Sequence, residues 1–246
     1  MIYSHSMFNT IVFIPLTNAL VFLTSLLWGN IGLSVIVLTI LIKLVLLPLS
    51  YAQTKSQIAI KKIQPLIDDI KKNTPDKTEQ TQKIMALYKE HNTNPLSGCL
   101  PLIIQLPIII ALYRVFLQGV SVDGSVLYSF VHAPEHISNM FLGINMASKS
   151  IIIAVIAGIT QYFQLRLSPS MQEEKAITTT DTPDMQTAMM ANMQKTMKYS
   201  LPIMITVFAA IVPAAVALYW VITNLFQIAQ EWWINKKVSE IKPVKI

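Results

Sequence analysis

Hydrophobic positions in this chain fall in long blocks separated by strongly polar segments. Residues 8–28 run from Phe8 to Trp28 without a charge and are long enough for a spanning helix. Thr10, Thr17 and Thr24 recur at intervals of seven, with Asn18 and Ser25 beside them, which predicts a polar stripe along one helical face. Such a helix can lie in the membrane interface instead of crossing it. The stripe favours an interfacial amphipathic helix within a segment 1–30, closed by the breaker Gly29-Asn30. Residues 31–51 form the next block, the first core span, with Lys43 as its one charge. The pattern then changes. Over 52–95, Ile58, Ile63, Leu66, Ile67 and Ile70, and later Ile84, Met85, Leu87 and Tyr88, recur among charged positions. With Asn73-Thr74-Pro75-Asp76 as a turn, this predicts a water-exposed hairpin of two amphipathic helices.

Residues 96–118 predict a second span. Pro101 and Pro107 lie in it, where a membrane tolerates them. Segment 119–148 reads as an irregular polar loop, 149–167 as a third span, and 168–197 as a polar loop. In that loop Met185, Met189, Met190, Met193 and Met197 recur at helical spacing. A flexible methionine face suits variable apolar partners, but packing is the simpler reading. Segment 198–234 holds two more spans, divided at Pro213-Ala214, and 235–246 is a basic tail. The predicted fold class is an all-α membrane protein: a five-helix transmembrane core, an interfacial N-terminal helix and a helical hairpin.

Composition agrees. Charged residues are 13% of the chain and hydrophobic residues 53%, with a mean hydropathy of +0.51, whereas soluble domains carry about 25% charged residues. The net charge of +6 matters less than its placement. The hairpin has eight lysines, residues 166–198 contain Arg166, Lys175, Lys195 and Lys198, and the tail contains Lys236, Lys237, Lys242 and Lys245. Segments 1–30 and 118–147 have no Lys or Arg. The positive-inside rule then puts the N-terminus outside and the hairpin, second loop and tail in the cytoplasm. Were residues 8–28 to cross, residues 1–7 alone would change sides, so charge leaves that choice open. The lack of Lys and Arg before residue 43 speaks against a secretory signal peptide, and no cysteine is present there for lipidation. The single cysteine, Cys99, excludes an intrachain disulfide and a CxxC metal site and reads as a small packed residue.

Lys43 is the first candidate for function. An ammonium at the centre of a spanning helix costs about 2.5–3.5 kcal/mol on insertion scales. It is expected either to face a water-filled cavity or to pair with a buried carboxylate. The central parts of the spans contain no Asp or Glu, and Glu231 lies near the end of the last one, so the cavity is the better expectation. Polar walls are available: Thr39 one turn from Lys43, Gln105 in the second span, and Thr160, Gln161 and Gln164 in the third. Trp220, Thr223, Asn224, Gln227 and Glu231 form a stripe three turns long in the last. The alternative for any one of these is a hydrogen bond that glues helices together. Catalytic chemistry has little support. There is no HExxH, GxSxG or paired intramembrane Asp, and His5, His91, His132 and His136 lie outside the spans. Pro134 between His132 and His136 argues against a helical metal site. No catalytic residue, metal or cofactor is expected.

The runs GLSVIVLTILIKLVLLPLSYAQTKSQ, YKEHNTNPLSGCLPLIIQLPIIIALYRVF, LRLSP and LYWVITNLFQIAQ resemble the YidC membrane protein insertases, bacterial relatives of the mitochondrial oxidase-assembly and thylakoid Albino insertases. The resemblance covers roughly residues 8–237, and the order of spans and loops also matches. It implies a five-helix core around a hydrophilic groove open to the cytoplasm and to lipid but closed to the outside. The family's groove centres on an arginine. Lys43 occupies that place here, keeping the charge but losing the bidentate fork. Gln164, with Gln161 as the alternative, and Trp220 would line the groove. Ile103, Leu106, Ile110, Met204 and Phe208 would form the apolar slide for a departing substrate helix. Residues 8–28 resemble the family's interfacial helix. The family's large periplasmic domain has no counterpart, so a minimal form is expected.

The expected function is insertion and folding of newly made inner-membrane proteins through a groove with a central cation, in the bacterial cell membrane. Expected partners are nascent membrane proteins and the lipid bilayer. The ribosome, at the hairpin and tail, and the Sec translocon are candidate partners, and no nucleic-acid substrate is expected. Two alternatives remain: an assembly chaperone or scaffold without insertion activity, and an anion channel or transporter, for which the sequence offers no internal repeat.

Overall fold

The computed structural model describes residues 7–94, 100–118, 126–168 and 199–240, and it is mostly helical. Cys99, the methionines from Met185 to Met197 and the tail lysines Lys242 and Lys245 lie outside the described residues. In chain order the helices are α1 (Ile14–Leu26, entered through a π-turn at Asn9–Phe13), α2 (Ile31–Val45), α3 (Leu47–Asn73), α4 (Lys77–Glu90) and α5 (Leu100–Gln118). Then follow α6 (Ile151–Leu167), α7 (Tyr199–Ile211) and α8 (Ala214–Glu240). Between α5 and α6, β1 (Met140–Phe141) and β2 (Ile144–Asn145) form a small antiparallel hairpin inside a segment expected to be irregular throughout.

Local chemistry sets several boundaries. Asn30 caps α2 by accepting from Leu33 N at 3.0 Å, Asp76 caps α4 by accepting from Thr78 N at 2.8 Å, and Ser150 caps α6 by accepting from Ile153 N at 3.4 Å. Gly29 has φ +75°, and a Cβ there would strike the carbonyl of His136, so the turn into α2 needs glycine. The block 31–51 is not one straight helix. It breaks at Leu46, and α2 and α3 meet at 63°. Pro48 has no N–H to return to the carbonyl of Leu44, which is where an unbroken helix would need one. The helix starting after the break runs on to Asn73 and packs on α4 through buried Ile63 and Ile67. Gln80 Nε2 donates to Lys71 O at 3.0 Å and Lys83 Nζ to Thr74 Oγ1 at 3.3 Å across the turn.

The polar stripe of residues 8–28 divides: Thr17, Asn18 and Thr24 point inward, whereas Thr10 and Ser25 are exposed. Thr17 and Thr24 are fully buried and donate to the carbonyls of Phe13 and Leu20, each at 2.7 Å. A hydroxyl satisfied by the i−4 carbonyl can be buried without an unmet bond. Asn18 binds the loop before β1: it donates to Val126 O at 2.9 Å and accepts from Tyr128 N at 2.6 Å. Met7, Ile11, Phe22 and Leu26 are exposed as well.

Helix α8 is the central element, packed against α6 on one side and α2 on the other. Its first turn is wholly buried from Ala214 to Ala217. Two of its first amides donate to the β-hairpin segment, Ala214 N to Ser148 O at 2.8 Å and Ala215 N to Met146 O at 3.0 Å. The core gathers Leu20, Val35, Leu112, Ala154, Ala209 and Tyr219 from six helices. The end of α8 includes Lys236 and Lys237, expected in a tail. Lys237 lies 4.3 Å from the Trp233 ring centroid.

Candidate functional site

The polar stripe of α8 meets the polar face of α6 along a buried seam. Trp220 Nε1 donates to Gln161 Oε1 at 2.9 Å, Gln161 Nε2 donates to Gln164 Oε1 at 3.1 Å, and Gln164 Nε2 donates to Glu231 Oε1 at 3.4 Å. The chain thus descends α8 from Trp220 to Glu231 by way of two α6 amides. Asn224 adds a rung, donating to Thr160 Oγ1 at 3.2 Å and to Ala157 O at 3.4 Å. Gln227 Nε2 reaches Glu231 Oε1 at 3.3 Å. Spacing by three and four puts these side chains on one face, and small residues on α6, Ala154, Ala157 and Gly158, let the partners approach.

Helix α7 closes on this pair from outside. A Cβ at Gly158 would collide with Thr206 Oγ1, so α6 and α7 touch nearly backbone to side chain there. Phe208 packs edge-on against Trp220, with ring centroids 6.0 Å apart. Trp220 therefore has an apolar face toward α7 and a polar N–H toward α6.

On the other flank of α8, α2 carries Lys43 in its last turn, buried at 9% exposure. Among the described residues its ammonium makes no hydrogen bond and no ion pair at contact distance. Its electrostatic partner is Glu231, itself 3% exposed. A buried acid thus lies within electrostatic reach of Lys43, although the two are not paired at contact among the described residues. Gln164, Ser168 and Gln227 enclose Glu231 between α6 and α8.

Not every expected wall residue joins the seam. The Thr39 hydroxyl donates to Val35 O in its own helix at 2.6 Å. Gln105 on α5 donates to Tyr219 Oη at 2.6 Å, forming a separate polar contact one residue before Trp220. Thr223 Oγ1 is shielded and has no hydrogen-bond partner among the described residues. The side chains expected to form a slide are all exposed: Ile103, Leu106 and Ile110 on α5, and Met204 and Phe208 on α7. His132 and His136 lie in the irregular segment before β1.

Sequence reading missed three anchoring residues. Tyr219 looked like one more aromatic of an apolar helix. Ser168 looked like the start of a loop, yet it is buried and donates to Glu231 Oε1 at 3.4 Å. Arg114 near the end of α5 donates to Asn9 Oδ1 at 3.0 Å and lies 4.8 Å from the Phe13 ring centroid, which ties α5 to the entry of α1. A cation so close to a span's end was the available signal for Arg114. The other two depend on partners far away in the chain.

A sequence profile of the family described as 60Kd inner membrane protein matches residues 22–241. The chain is 33% identical over 227 residues to "Membrane protein insertase YidC 1" of Halalkalibacterium halodurans, covering 90% of this chain and 76% of that one. It is 34% identical over 217 residues to "Membrane protein insertase YidC" of Cupriavidus taiwanensis, covering 87% of this chain but 34% of that one. Among solved structures, the one titled "Active YidC insertase crystal structure with the first transmembrane domain resolved" superposes with a TM-score of 0.57 at 27% identity, over 92% of this chain and 46% of that one.

Proposed function

The chain belongs to the 60Kd inner membrane protein family, that of the YidC membrane protein insertases, and from this we propose that it inserts and helps fold new membrane proteins by way of its buried polar seam and the Lys43 cation. The observation that carries the reading is the run of amides from Trp220 to Glu231 set beside a buried ammonium, within a body whose outer faces are apolar. A polar segment crossing hydrocarbon needs substitutes for water. Amides of Gln161, Gln164, Asn224 and Gln227 can offer both donors and acceptors to such a segment. Lys43 attracts acidic groups, because Coulomb forces are stronger in low dielectric than in water. The apolar helix of the substrate leaves along Ile103, Leu106 and Ile110 of α5, or Met204 and Phe208 of α7.

The arrangement in the membrane follows from the basic segments. α2, α5, α6, α7 and α8 are the five spans, α1 lies at the outer interface, and the α3–α4 hairpin faces the cytoplasm, where a ribosome and the Sec translocon are candidate partners. Trp232 and Trp233, beside Lys236 and Lys237, suit a cytoplasmic interface belt. The test is site-specific photocrosslinking from Trp220, Gln164 and Met204 to a stalled nascent membrane protein, in membranes containing the full chain. Adducts from all three positions, lost when the substrate is released, are expected. Adducts from none of them would overturn the route. Rapid uptake of small anions by liposomes holding the protein would favour a channel instead.

A further inference from the structure

Glu231 is a buried acid to which the route above gives no task. Its Oε1 accepts from Gln164 Nε2 at 3.4 Å, Ser168 Oγ at 3.4 Å and Gln227 Nε2 at 3.3 Å, while Oε2 is shielded and has no hydrogen-bond partner among the described residues. All three donors are neutral, so they orient the carboxylate without cancelling its charge. The cation within electrostatic reach is Lys43, in the last turn of α2, and that end of α2 lies beside this stretch of α8: Leu47 lines one space with Phe226, Ala229, Gln230 and Trp233. The two do not close into an ion pair at contact distance among the described residues. Each is buried, and each would be costly without an opposite charge nearby. Because they do not touch, the ammonium keeps its donors available to a third group. Glu231 nevertheless subtracts from the field that such a group meets.

We propose that Glu231 is a specificity-determining residue of this insertase: an internal counter-ion that competes with acidic groups of the incoming segment for Lys43 and limits how strongly the groove favours them. The inference rests on reading Lys43 as the groove cation. It follows from the geometry of one seam. A carboxylate held by α6 and α8 opposite a cation on α2 occupies the electrostatic place that a substrate carboxylate would take. Removing the negative charge while keeping the side chain's shape leaves Lys43 uncompensated, and acidic segments gain more than neutral ones.

The test uses the full chain in proteoliposomes and one single-span substrate in two forms, its translocated tail carrying Asp and Glu or the matching Asn and Gln. The readout is the ratio of acidic to neutral insertion. Both substrates meet the same protein, so partial loss of folded protein scales both yields and leaves the ratio unmoved. Glu231→Gln is expected to raise the ratio about fivefold, and Glu231→Asp to hold it near the parent value. In a Lys43→Ala background, Glu231→Gln is expected to leave the ratio unchanged. An unchanged or lowered ratio in Glu231→Gln, or a rise that persists without Lys43, would overturn the inference while leaving the groove reading intact. If Lys43→Ala alone fails to lower the ratio, the groove-cation reading falls first and takes this inference with it.

Discussion

Trp220 and Gln161 join α8 to α6 by a single hydrogen bond, indole N–H to amide oxygen at 2.9 Å, and that bond heads the polar chain that ends at Glu231. The same indole stacks edge-on against Phe208 of α7. One side chain therefore connects the seam to a face read as the exit for apolar helices.

Trp220→Phe keeps most of the ring and removes the donor. The change should destabilise the protein by about 1 kcal/mol, the usual net value of one such bond. Gln161→Leu should do similar damage, and the double variant should lose less than the sum, since both remove one interaction. Thermal unfolding in detergent micelles checks all three. Full additivity would show that the bond is not formed.

Lys43→Arg should support insertion, because the charge is kept and a bidentate fork is added. Lys43→Ala should impair substrates with acidic tails more than neutral ones. Insertion assays in proteoliposomes decide this: equal rates for acidic-tailed substrates with Lys43→Ala and the parent protein would refute the electrostatic role.

Gly158→Ala should be destabilising by about 1–3 kcal/mol, the usual range for overpacking, since the new methyl collides with Thr206 Oγ1. Thr206→Ala removes that oxygen and should restore part of the loss. The restoration is partial because Thr206 Cβ is itself 3.1 Å from the added carbon. Melting temperatures of the two single variants and the pair give the coupling.

Asn18→Leu should loosen the segment before β1. The variant deprives Val126 O of its donor and Tyr128 N of its acceptor at once, and each buried group left unpaired costs about 1–3 kcal/mol. Faster chymotrypsin cleavage at Tyr128 and Phe130 is the expected sign, with unchanged cleavage counting against the anchor.

Much of this was legible in the chain because it is periodic. The α8 stripe is local, and a helix turns spacings of three and four into one face whatever surrounds it. Gln161 and Gln164 were visible on α6 for the same reason. What stayed hidden depends on distant segments. Glu231 is enclosed by Gln164 and Ser168, 67 and 63 residues away in the chain. Gln105 and Tyr219 are 114 residues apart, Arg114 and Asn9 are 105 apart, and neither pair has a spacing rule. The inward placement of Thr17 and Thr24 was unreadable for another reason. Periodicity shows that one face is polar, but a threonine bonded to its own backbone suits a protein interior as well as water. The bend after α2 did leave a mark, Pro48, whose missing N–H tells against a straight helix through residue 51.

The two amides of α8 bonded to Ser148 and Met146 fasten one end of this helix. Glu231, held by Gln164 and Ser168, and the fully buried Ile234 fasten the other. Held at both ends, about 40 Å of helix acts as a fixed beam against which other elements move. The distance between labels near residues 216 and 230 should therefore stay constant while a chain passes.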